Sequence, residues 1–296
     1  MDRTAGKTGF CGTDARIQVA HVGLHFGEEP PISGTGGSGT VFFAGCNLRC
    51  VFCQNHQISQ DVHRTATRIL SAEALAAEML RLQAQGAHNI NLVSPSHMIV
   101  PAAAAIEAAR AMGLTIPLVY NSNGYDSLQG LGRLRGLVDI YLPDLKYLDN
   151  RLGKRFSGVD DYAQVAPMAL REMAAQVGPL ALNAEGIAVR GLLVRHLVLP
   201  GHLDNSRRCL DFLAACWPQI HLSIMAQYSP RHRAAQFPPI NRPLRQDEYD
   251  QIVDHALALG LENAFVQELD SRDQYLPDFT RDAPFEPPLP APPEAS

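Results

Sequence analysis

Gly45-Cys46-Asn47-Leu48-Arg49-Cys50-Val51-Phe52-Cys53-Gln54-Asn55 places three of the chain's six cysteines within eight residues, spaced C-x3-C-x2-C. Thiolates this close along the chain can reach one small metal centre. Sulfur is a soft donor and points to zinc or an iron–sulfur cluster. A cluster of four irons and four sulfides is ordinarily closed by four thiolates. The run supplies three, which leaves one iron open to a substrate or cofactor. Two other readings stand beside this one. His56 follows at C-x2-H and completes a formal Cys3His set for structural zinc, although zinc modules more often draw their ligands as two separated pairs. Three free thiols buried in a core would need no metal. Against that, the run follows the apolar segment Thr40-Val41-Phe42-Phe43-Ala44 and a glycine, so it reads as a loop leaving a strand.

Working outward, βα alternation organises the chain. Expected strands are Thr40 to Ala44, Asn89 to Val93, Ile116 to Tyr120, Val138 to Leu142, Leu192 to Leu199 and Ile220 to Met225, with a short seventh near Ala264-Phe265-Val266. Between them, apolar spacing predicts helices from Ser71 to about Gly86, Pro101 to Met112, Asp160 to Val177, Asn205 to Cys216 and Gln246 to Leu259, with a polar helix before Val138. Such alternation implies a parallel sheet with right-handed crossovers. Six strands suggest a partial barrel. Residues 1–38, rich in Gly and carrying Pro30-Pro31, are expected as a loop-rich extension packed on a barrel of residues 39–283. His25, Glu28 and Glu29 read there as a solvated loop, with substrate contact as the alternative. The tail 284–296 is nearly half proline and is expected to be disordered.

Active-site groups of a parallel α/β barrel collect at the carboxyl ends of its strands. Here those ends carry the cysteine loop, Ser94/Ser96/His97, Asn121/Ser122/Asn123, Asp144/Lys146 and Gln227/Tyr228. Cys209 and Cys216, seven apart on one expected helix, read as core thiols. Cys11 stands alone in Gly9-Phe10-Cys11-Gly12 before the barrel; a fourth cluster ligand is its alternative reading, and it is not assigned to the cluster.

With Phe52 before its last cysteine, the C-x3-C-x2-C run resembles the signature of the radical S-adenosylmethionine superfamily. The longer string from Gly39 to Asn55 resembles the activating enzymes of glycyl-radical enzymes, in the activase-like branch related to pyruvate formate-lyase activating enzyme. Asp144-Leu145-Lys146 is similar to the D-x-K step of those activases. Val194 to Gly201 is similar to the strand that lends the cofactor an arginine, here Arg195. Gln54 stands where a His is common. One place departs: the second strand of the activases ends in a G-G-E-like sequence, and this chain has Val93-Ser94-Pro95-Ser96.

The resemblance implies a (β/α)6 partial barrel, with Cys46, Cys50 and Cys53 as ligands of one [4Fe–4S] cluster. It implies S-adenosylmethionine as cofactor, with Asp144, Lys146 and Arg195 beside it and Ser94 in the place of the missing motif. Asn55, Asn121 and Asn123 join that binding list from their strand-end and loop positions. No further catalytic residue is assigned. The implied reaction is reductive cleavage of S-adenosylmethionine to a 5′-deoxyadenosyl radical, used to activate a glycyl-radical enzyme or to modify a protein or peptide. An electron donor such as flavodoxin or ferredoxin is the implied second partner. The alternatives are a radical enzyme with a small-molecule substrate, and a non-catalytic zinc or iron–sulfur protein of structural or electron-transfer role.

Composition is ordinary for a globular protein: 296 residues, 46% hydrophobic and 19% charged. A net charge of -5 without a long basic run gives no electrostatic reason to expect nucleic acid. No apolar leader-like segment opens the chain and no apolar run is long enough for a bilayer, so the expected location is the cytoplasm, without a membrane partner.

Overall fold

The computed structural model describes residues 2–269, 276–281 and 283–285. Among them, one sheet contains β1 (Ile17–His25), β2 (Ser38–Phe43), β3 (Arg68–Leu70), β4 (Asn89–Val93), β5 (Leu118–Ser122), β6 (Ile140–Pro143), β7 (Ala181–Leu182), β8 (Ala188–Leu197), β9 (His221–Met225) and β10 (Ala264–Val266). Their order is β10-β9-β8-β6-β5-β4-β2-β1-β3, with β7 paired to β8. From β2 to β10 along that order every pairing is parallel. The helices Ala72–Ala84, Ile99–Ala111, Leu128–Leu134, Tyr162–Val177, Leu203–Cys216 and Gln246–Ala258 fill the crossovers. Six βα units and a short seventh parallel strand result, as the sequence predicts. The sheet curls without closing, with β3 and β10 at its two ends.

Local chemistry explains the elements. Ser71 caps its helix by accepting a hydrogen bond from the Ala74 amide at 3.1 Å, and Ser127 does the same for Gly130 at 3.1 Å. Side chains alternate across the strands. Val119, Ile140, Leu142 and Leu193 form an inner cluster with Ile32, while Leu118, Tyr120, Tyr141 and Leu192 pack against the helices. Two buried polar groups beside the inner cluster pair with each other: Ser38 Oγ donates to Asn89 Oδ1 at 2.6 Å, and Asn89 Nδ2 donates to the Ile32 carbonyl at 2.7 Å. An unpaired group there would cost about 1–3 kcal/mol.

The N-terminal segment differs from the loop expected of it. Ile17–His25 is a nine-residue strand, antiparallel to both β2 and β3. Its alternation is hard to read because Ile17 and Val19 fall in one phase and Val22 and Leu24 in the other. A bulge between Val19 and His21 accounts for the slip. The expected tail beyond residue 285 lies outside the described residues. No helix of the described chain is long and apolar enough to cross a membrane.

Candidate active site

Gly45 turns the chain out of β2 and into the cysteine loop. Its φ is 82°, and a β-carbon would lie 2.6 Å from the Cys11 carbonyl oxygen. Only glycine fits both constraints without strain. Gly45→Ala is therefore expected to cost about 1–3 kcal/mol of stability and to lower the iron retained per chain. Urea melts and iron analysis of the reconstituted protein check this; values equal to wild type would refute the constraint.

The loop is held by alternate anchoring. Leu48, Val51 and Phe52 are buried in the largest hydrophobic cluster, with Phe52 packed edge-on against Tyr228 at 5.9 Å. The π-helical turn Gly153–Ser157 clamps the backbone: Arg49 N donates to Ser157 O at 2.9 Å and Val51 N to Phe156 O at 2.8 Å. With the apolar residues locked inward, the three thiols line one cavity. Cys46 Sγ accepts from Leu48 N at 3.5 Å and from Asn123 Nδ2 at 3.4 Å. Cys50 Sγ lies 3.0 Å from Ser157 Oγ, and Cys53 Sγ lies 3.3 Å from Ser59 Oγ. All six cysteines are free of disulfides.

Burial lifts the Cys46 thiol to about 11 and the Cys53 thiol to about 12, with the Cys50 sulfur adding to both. Cys50 rises for the same reason, opposed by Lys146. Three clustered thiolates without a cation are thus disfavoured, and a bound soft cation restores the balance. Hydrogen-bond donors to sulfur are also among the groups that tune an iron–sulfur centre. The donor set therefore fits a cluster.

Beside the thiols stand the strand ends. Ser94, Asn121, Asn123, Asp144, Lys146 and Arg195 line the same cavity, as does Asn55 from the loop. Ser94 has φ 57°, so the position that departs from the activase pattern holds a left-handed backbone without glycine. Lys146 Nζ contacts Asp144 Oδ2 at 2.5 Å. Burial opposes the lysine charge, yet Asp144 and the Cys50 sulfur raise its pKa. Asp144 is fixed across the sheet, its amide donating to Ser122 O at 2.9 Å and the next amide, Leu145, to Arg195 O at 2.8 Å.

Other strand-end groups face elsewhere. His97 Nε2 meets the Ala44 carbonyl at 2.8 Å, and burial lowers its pKa to about 4, so the neutral ring donates there. Tyr228 hydroxyl donates to the Ile240 carbonyl. Neither His97 nor Tyr228 lines the cavity, and neither does Ser96. Cys11 Sγ contacts Thr13 Oγ1 at 3.3 Å and also stays out of the cavity. Cys209 is buried in the core, whereas Cys216 is half-buried near Arg171.

The main correction concerns Glu28, Glu29 and His25, read from the sequence as solvated. All three line the cavity, and both glutamate side chains are under 10% exposed. Arg195 Nε donates to Glu29 Oε1 at 2.8 Å and its Nη2 to Glu29 Oε2 at 2.5 Å, with a further contact to Glu28. Asn91 Nδ2 steadies Glu28 at 2.9 Å. Burial penalises the Glu29 charge, but Arg195 outweighs it and holds the carboxyl below its ordinary value. The physical reason for the correction is β1: a strand before these residues carries them into the barrel, where an Arg–carboxylate set can be satisfied. The adjacent carboxylates Glu28-Glu29 just before Pro30-Pro31, and the charge of Arg195 within the apolar run Leu192 to Leu199, were the available signal.

Comparison with known proteins adds the family. Residues 40–175 match the radical SAM superfamily model. The chain is 30% identical over 266 residues to the uncharacterized protein MJ0674 of Methanocaldococcus jannaschii, spanning 86% of this chain and 71% of that one. Among solved structures, Streptococcus suis SuiB bound to S-adenosylmethionine aligns with a TM-score of 0.51 at 12% identity, over 77% of this chain and 50% of SuiB. Spore photoproduct lyase aligns with a TM-score of 0.51 at 13% identity, over 83% of this chain and 79% of the lyase. These likenesses show a shared fold, and the sequence matches show the family. His56, the fourth donor of the zinc alternative, is turned toward Asp61 and His232. The chain belongs to the radical S-adenosylmethionine superfamily, whose members bind a [4Fe–4S] cluster and S-adenosylmethionine.

Proposed function

We propose that this protein is an activase-like radical enzyme that removes a hydrogen atom from a protein or peptide. One observation carries the reading: three thiols and the Asp144, Lys146 and Arg195 charges converge on one cavity at the strand ends. When bound there, the cluster and S-adenosylmethionine supply reductive cleavage of a carbon–sulfur bond to methionine and a 5′-deoxyadenosyl radical.

The protein's own groups bind, orient and exclude. Cys46, Cys50 and Cys53 would hold the cluster, and the amide of Leu48 and Asn123 Nδ2 donate to the Cys46 sulfur. Lys146, oriented by Asp144, offers the cofactor a fixed positive charge. Arg195 offers a second once a ligand carboxylate competes with Glu28 and Glu29. Ser94 and Asn121 present polar groups to a nucleoside, joined by Asn55 from the cysteine loop. Phe42, Phe52, Leu197 and Met225 line the same space and keep water from it. Support for a peptidic substrate comes from the Gly39–Asn55 resemblance and from SuiB, which was solved with its precursor peptide SuiA. Electrons are to be supplied by a flavodoxin or ferredoxin.

Anaerobically reduced, cluster-loaded protein given S-adenosylmethionine is expected to release 5′-deoxyadenosine and methionine slowly, and faster with a glycyl-radical protein substrate. Chromatography with mass detection reads both products. No 5′-deoxyadenosine from protein with verified cluster removes the radical reading. Acceleration by a small metabolite alone leaves the chemistry and removes the activase assignment.

A further inference from the structure

His56, Asp61 and His232 form a second cluster of donors. One ring nitrogen from each histidine and one Asp61 carboxylate oxygen lie within 4.8 Å of one another. None of the three residues lines the thiol cavity. His56 opens the helical turn His56–Ser59 just after Cys53, and His232 comes from the loop after β9.

Several features of this cluster fit a metal better than a surface ion pair. His56 Nδ1 and Asp61 Oδ2 are 3.4 Å apart. A charge-assisted hydrogen bond would draw them to about 2.7–2.9 Å. Neighbouring donors on a tetrahedral ion with bonds of about 2.0–2.2 Å stand about 3.3–3.6 Å apart. The two imidazoles stack with centroids 4.7 Å apart at 18°, which holds the histidines of two distant segments together. His232 has φ 53°, a left-handed backbone that a side chain disfavours. All three residues are partly buried, so the donors are held in place while an entry path from solvent remains.

We propose that His56, Asp61 and His232 bind a single zinc ion, separate from the cluster. Two imidazoles and a carboxylate suit zinc, and three protein donors leave a fourth position for water. The ion would join the turn after Cys53 to the loop after β9. Those segments are already tied by Arg233 N to Val51 O at 2.8 Å and by Gln54 Nε2 to Gln227 O at 3.1 Å. Zinc therefore braces the cysteine loop from its outer side.

The test uses cluster-loaded protein, stripped of loose metal with a chelator and given zinc sulfate. Calorimetry is expected to show one zinc site per chain, and anomalous diffraction across the zinc edge is expected to place it among the three side chains. His232→Asn removes the imidazole with a residue that tolerates the left-handed backbone. Asp61→Asn is isosteric at a side chain 43% exposed, and it leaves the His232 backbone untouched. Each is expected to weaken zinc binding at least tenfold with iron content unchanged. Zinc found only at the cysteines, no zinc bound, or undiminished affinity in both variants overturns the proposal.

Discussion

Alanine at Cys46, Cys50 or Cys53 is expected to abolish cluster assembly and, with it, all release of 5′-deoxyadenosine. Each thiol has its own place in the wall of the cavity, fixed by a different polar partner: Asn123, Ser157 and Ser59 respectively. No spare thiol stands by, since Cys11, Cys209 and Cys216 all lie outside the cavity. Iron should fall from about four per chain toward zero, because a three-thiolate site cannot give up another ligand. Cys209→Ala and Cys216→Ala should retain iron, although Cys209→Ala loses some core packing. Iron and acid-labile sulfide assays decide it, and a Cys50→Ala protein with normal content of both would overturn the ligand assignment.

Arg195→Ala carries the second large effect. It leaves Glu28 and Glu29 buried without their cation. Breaking a buried ion pair by removing one partner costs about 3–5 kcal/mol. The sign with pH follows from Glu29. In the wild type its folded pKa is lowered, so its contribution to stability is present above the ordinary carboxylate range and is lost as pH falls through the folded value. Without Arg195 the burial penalty loses its main opponent, so the folded pKa moves upward and the carboxyl destabilises as pH rises past its unfolded value. The gap between the two proteins should therefore widen from pH 5 to pH 7.5. Urea melts at both values measure it, and a gap independent of pH would count against the buried pair. Adding Glu28→Gln and Glu29→Gln to Arg195→Ala should recover part of the stability. Calorimetry on the same set separates folding from cofactor affinity: weaker S-adenosylmethionine binding in the rescued protein marks a direct role for the arginine.

Much of this architecture is legible because its signals are local. The run Asn89-Ile90-Asn91-Leu92-Val93 is short, apolar and bounded by turns, and it is a strand with those limits. Ser71 announces its helix by a side chain that the helix uses. The cysteine spacing needs no tertiary information at all. What stays hidden depends on pairings distant in sequence. The bulge in β1 breaks the alternation that would have marked a strand. Glu28 and Glu29 look like any charged loop until β8 is folded about 166 residues away. The Asp144–Lys146 pair lies between these cases: its residues are adjacent enough to suggest contact, but only the sheet register puts Asp144 beside Arg195.

The cavity mouth is built from both ends of the described chain. His25 packs on Phe285 with ring centroids 4.3 Å apart, and Phe42 meets Phe279 at 5.4 Å. Pro277 and Phe285 line the cavity together with the thiols. On a ribosome these parts emerge at very different times. Cys53 precedes Phe285 by 232 residues, which at typical elongation rates separates them by about 12–46 s. Throughout that interval the nascent chain carries its cysteines without the C-terminal side of the mouth. Iron–sulfur delivery during synthesis thus meets the cysteines without their aromatic rim, whereas delivery to the finished protein meets that rim in place.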